Sequence, residues 1–138
     1  MLENRFSKDF DKWKIDLNVD DVYDIDFVGF TDEGFLVILK PDHFIEEKRS
    51  DHKLKLVWGS VISYTVTDES YRPELWGNEN DKSDAYSFYI SKNSDYLRKI
   101  KYKNYLVDER SIHFLIAGTN LNVDILSFEN PDIEYLDI

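Results

Sequence analysis

Between Leu54 and Thr67 the chain keeps a strict two-residue rhythm. Leu54, Leu56, Trp58, Ser60, Ile62, Tyr64 and Val66 fall on one side, and Lys55, Val57, Gly59, Val61, Ser63, Thr65 and Thr67 on the other. Successive side chains alternate across a β-strand but turn through about 100° per residue in a helix, so no helix gathers Leu54, Leu56 and Trp58 on one side. The small pair Gly59-Ser60 interrupts the bulky series. We read it as a bend in one long central strand of an antiparallel sheet, with Trp58, Ile62 and Tyr64 together inside the β-layer.

The flanking sequence supplies neighbours. Tyr23, Ile25 and Phe27 alternate with Asp24 and Asp26, and the apolar run Phe35 to Lys40 follows a turn, Thr31 to Gly34, whose glycine suits a positive φ. Ala85 to Ser91, Ser111 to Ala117 and Leu121 to Ser127 read as further strands, the last two joined through Gly118, Thr119 and Asn120. A short terminal strand fits around Ile133 to Leu136. Asn93 or Ser94 can cap a short helix that starts at Asp95 and turns Tyr96, Leu97 and Ile100 inward. At the start, Leu2, Phe6, Phe10, Trp13 and Leu17 are spaced four, four, three and four apart, the stripe of an amphipathic helix.

Strands that follow one another without regular intervening helices argue against a parallel doubly wound sheet. The expected fold class is α+β: a curved, half-barrel-like antiparallel β-sheet of six to seven strands, with an N-terminal amphipathic helix and one short helix between later strands. At 138 residues the chain is expected to form a single domain over 1–138 around one core.

Composition narrows the chemistry. With 17 basic against 28 acidic residues the net charge is −11, a field that repels DNA and anionic membranes and disfavours RNA. There is no cysteine, which removes disulfides, thiolate metal sites and cysteine nucleophiles. The opening MLENRFSKDFDKW mixes acids and bases without an apolar run, and no uncharged apolar stretch approaches about eighteen residues, so the expectation is a soluble, cytoplasmic protein.

Motif searches exclude more than they find. Asp16, Asn18 and Asp20 mimic the first ligands of a calcium loop, but Asp21 and Phe27 stand where an EF-hand needs Gly and Glu. His43, His52 and His113 have no metal spacing, and His113 reads as covering a sheet face. GxSxG, GxxxxGK[ST] and GxGxxG are absent. No catalytic residue, cofactor or metal is expected. Ser91 to Tyr105 holds Lys92, Arg98, Lys99, Lys101 and Lys103 against Asp95, interleaved with Tyr96, Tyr102 and Tyr105. Such a patch could stack on single-stranded RNA, but the acidic remainder of the chain favours a solvated helix face.

The long segment from Asp68 to Asp84 holds Tyr71, Arg72 and Trp76, residue types that dominate interface hot spots. With Asp24 and Asp26 they form the expected partner-binding set. The function expected from the residues is a small acidic, non-enzymatic protein-binding module, an inhibitor or immunity-type protein that masks a basic partner. The alternative is a small-molecule-binding or enzymatic half-barrel closed by the 68–84 loop. Homo-oligomers through an edge strand are a third route.

Overall fold

The computed structural model describes residues 9–15, 23–41, 52–68, 87–103 and 107–137. Within them the chain is mostly antiparallel β-structure with one short helix. The elements are β1 (Asp11–Lys12), β2 (Tyr23–Thr31), β3 (Gly34–Pro41), β4 (His52–Trp58), β5 (Ser63–Asp68), β6 (Phe88–Ser91), α1 (Asp95–Lys103), β7 (Ile112–Ala117), β8 (Leu121–Ser127) and β9 (Asp132–Asp137). They build two sheets rather than one curved sheet. One has the order β1-β6-β7-β8-β5 and the other β2-β3-β4-β9, and neither closes into a barrel.

The expected central strand is therefore two strands in two sheets. β4 pairs with β3 and β9, whereas β5 pairs with β8. The chain changes sheets at Gly59–Ile62. Ser127 Oγ donates to the Ser60 carbonyl, the Ser60 N–H donates to Glu129, and the Ile62 N–H donates to the Leu126 carbonyl at 2.8 Å. Leu54, Leu56 and Trp58 are fully buried as the alternation requires, but Tyr64 is 42% exposed. The rhythm breaks at the crossing: Val61 packs on the core cluster that holds Trp58, whereas Ile62 packs with Leu97, Val107 and Leu126 under α1. Trp58, Ile62 and Tyr64 therefore do not lie together inside the β-layer, and Tyr64 stands on an edge strand.

The N-terminal helix is not supported. Asp11 and Lys12 pair with Ile90 and Tyr89 as a strand, and the Trp13 N–H donates to the Phe88 carbonyl. Phe10 and Trp13, which a helix would hold on one side, go to opposite faces of the sheet. Phe10 stands edge-on to His113, while Trp13 packs on Phe88 and Phe114 in the core. Leu2, Phe6 and Leu17 lie outside the described residues.

The core lies between the sheets. Tyr23, Ile25, Phe35, Val37, Leu39, Leu54, Leu56 and Trp58 from one meet Phe88, Phe114, Ile116, Val123 and Ile125 from the other. The Trp58 and Phe114 rings are 5.4 Å apart across the interface. A bulge between Ile25 and Phe27 changes which face each later β2 residue takes. Phe27 thus leaves the side of Tyr23 and Ile25 and lies 43% exposed, with its ring over Gly29. The β2–β3 turn needs its glycine: Gly34 has φ +130°, and a Cβ there would lie 2.4 Å from the Trp58 carbonyl oxygen.

Candidate functional site

The two outer faces of the sandwich are the places to look for chemistry, and they differ. On the five-stranded sheet, His113, Leu115, Asp124 and Leu126 point away from the core, since their pairing partners alternate with the core residues Phe114, Ile116, Val123 and Ile125. α1 and the N-terminal segment pack there: Leu97, Val107 and Leu126 form one cluster, and Phe10 joins Tyr89, Leu115 and Ala117 in another.

A buried polar chain runs through this layer. Ser94 Oγ lies 2.6 Å from His113 Nδ1, and His113 Nε2 lies 2.7 Å from Asp124 Oδ1. With the imidazole proton on Nε2, each polar hydrogen has an acceptor: Ser94 O–H donates to Nδ1 and Nε2–H donates to the carboxylate. Ser94 is also the N-cap of α1, its Oγ accepting the Leu97 N–H at 3.1 Å and its carbonyl the Arg98 N–H at 3.0 Å. The residue types are those of a nucleophilic relay. Here, however, Ser94 is 2% exposed and its oxygen is occupied by the cap, while the Phe10 and Tyr96 rings each sit 4.9 Å from the imidazole. What this geometry does is clasp the helix to the sheet. Motif reading missed it because the three residues lie far apart in sequence; the only local sign was Asp124 amid the apolar run of β8.

The outer face of the four-stranded sheet carries no helix among the described residues, and its side chains range from the buried Leu36 through the half-buried Ile38 and Val57 to the exposed Phe27. Register places Gly29, Leu36, Val57 and Asp132 in one row and Phe27, Ile38, Lys55 and Glu134 in the next. Phe27, Leu36, Ile38 and Val57 thus make an apolar strip, and acids stand at one end of it. There a groove of about 320 Å³ is lined by Glu33, Val57, Asp132, Ile133 and Glu134. Lys55 Nζ bonds Glu33 at 2.7 Å and Glu134 at 3.2 Å. Those hydrogen bonds, Glu33 first, hold its ammonium above its ordinary pKa. One lysine against three acids leaves the rim negative. Among the described residues, no group of three or more His, Asp or Glu is arranged to hold a metal.

Known protein families, curated proteins and solved structures offer no match to this chain.

Of the expected partner-binding residues, Tyr71, Arg72 and Trp76 lie outside the described residues. Asp24 sits opposite Lys40 on β2, and Asp26 occupies the bulge and bonds Lys53 at 2.9 Å. Tyr96 and Tyr102 do not form a stacking surface. Tyr96 is held at its hydroxyl by Ser63 and packs on His113, whereas Tyr102 is 92% exposed; Tyr105 lies outside the described residues. Arg98 is paired with Asp95 and Asp9. No helix of the described residues is long and apolar enough to cross a membrane.

Proposed function

We propose that this protein binds a basic segment of another protein on the open face of the β2-β3-β4-β9 sheet. The observation that carries this is the acid-ended apolar strip: Phe27, Ile38 and Val57 offer area to bury around the already buried Leu36, and Glu33, Asp132 and Glu134 offer carboxylates beside it. Apolar contact supplies affinity, while a net charge of −11 steers and selects a cationic partner. An inhibitor that masks a basic functional surface, as immunity-type proteins do, is the role this chemistry would serve. Asp26 extends the surface along β2, and the expectation for Tyr71, Arg72 and Trp76 stays part of the same proposal.

A synthetic strand peptide that alternates Lys with Leu or Phe is a suitable probe. In an NMR titration of the full chain, amide shifts should concentrate on Phe27, Leu36, Ile38, Val57 and Glu134 and shrink as salt rises. The Glu33→Gln/Glu134→Gln variant removes both charges while keeping an acceptor for Lys55 at each position; it should fold within about 1 kcal/mol of wild type, yet lose the response. Shifts that map to another surface, or persist in the double variant, would end the proposal.

A further inference from the structure

Sheet edges are where chains add strands, and proteins ordinarily blunt them with charge, bulges, brevity or a covering element. Three of the four edges here are blunted. β1 is two residues long and both are charged. β2 carries the bulge, and its backbone is capped from the other sheet: the Asn120 amide bonds both the N–H and the carbonyl of Ile25, and Ser87 Oγ accepts the Tyr23 N–H. β9 holds three acids in six residues. Among the described residues β5 has none of these devices. Its sequence, Ser-Tyr-Thr-Val-Thr-Asp, is β-favouring, contains no Gly or Pro, and stays uncharged until Asp68. It keeps unbroken register with β8 over all six residues, and no further strand lies beyond it among the described residues.

We infer that β5 is a self-pairing edge and that its occupant is β5 of a second copy of this chain, antiparallel, with the two-fold axis at Thr65. The argument is self-complementarity. In that register Tyr64 faces Val66 of the other copy, Ser63 faces Thr67 and Thr65 faces itself. Aromatic–β-branched and hydroxyl–hydroxyl pairs of this kind stabilise antiparallel neighbours. Asp68 falls opposite Ile62, so no acid meets an acid across the seam, although each copy carries a charge of −11. The axis is perpendicular to the sheet, so the core-side faces of both copies lie on the same side. There the 65% exposed Phe30 ring, 5.6 Å from Tyr64, stands with 39% exposed Val66 beside the axis, and a second copy would bring the same apolar group against it. The β1-β6-β7-β8-β5 sheet would then run continuously through the dimer.

Sedimentation equilibrium of the full chain tests this. A dimer is expected whose dissociation constant falls as salt screens the mutual repulsion, the opposite trend to the charge-steered binding proposed above. Thr65→Lys and Thr65→Glu each put like charges across the axis and should be monomeric with unchanged circular dichroism. Their equimolar mixture should dimerise again. In the wild type, amide exchange within β5 should slow as concentration rises. A wild type that stays monomeric at low and high salt, a dimer indifferent to both substitutions, or a mixture that fails to reassociate would overturn the inference. So would β5 amides whose exchange is independent of concentration.

Discussion

The two sheets share one core but treat their outer faces in opposite ways. β7 and β8 are buried on both sides, including His113, Asn122 and Asp124, because a helix and the N-terminal strand region lie over them. β4 alternates, with Leu54, Leu56 and Trp58 inside and Lys53, Lys55 and Val57 at the surface. Polar groups obey different rules on the two faces. On the covered face Ser94, His113 and Asp124 tie one another into one chain that makes them structural. The fully buried Asn122 amide, by contrast, has no hydrogen-bond partner among the described residues. On the open face Glu33 and Glu134 hold the Lys55 ammonium, but both carboxylates are well exposed and solvent screens the pairs, so they add little stability and remain available for recognition.

That contrast can be broken first at His113. His113→Leu removes a close hydrogen-bond partner of a carboxylate 3% exposed and should cost about 3 kcal/mol in urea unfolding. Adding Asp124→Leu should recover part of the loss. If the double variant is simply additive within about 0.5 kcal/mol, the polar chain does not act as a unit. Ser94→Ala removes both the cap and the hydrogen bond to His113 Nδ1 and should cost about 2 kcal/mol, with faster amide exchange in the first turn of α1. On the open face the effect should be smaller and pH-dependent. The folded pKa of Lys55 lies above its unfolded value near 10.5, so its contribution is complete below that pH and drains away as pH rises through the folded value. The small difference in melting temperature between wild type and Lys55→Met should therefore vanish in strong alkali; a constant difference would show that the packing of the stem, not the charge, is responsible.

Much of the strand content was legible because a strand's side-chain period is local. The runs at 35–40, 111–117 and 121–127 and the short helix from Asp95, capped by Ser94, lie within a residue of where the pattern placed them. Phe27 was misassigned because a bulge leaves no mark in an alternating sequence: one extra residue reverses the face, and both phases read equally well. The stripe Phe10, Trp13 was misassigned because spacings of three and four fit a helix face, yet a two-residue strand at a sheet edge can send those rings to opposite sides. Among the expected site residues, Asp24 and Asp26 were visible as acids, but the open face they border was not, because nothing local says which sheet face a helix will cover.

The sequence by itself determined that Leu54, Leu56 and Trp58 point one way into a β-layer, since steric alternation along an extended backbone depends only on neighbouring residues. Only the tertiary structure decided that the next strand belongs to another sheet, that Tyr64 reaches the rim rather than the interior, and that Ser94, His113 and Asp124 meet. Those outcomes depend on contacts between residues far apart in the chain, and a two-residue period is the same on either side of a hand-over between sheets.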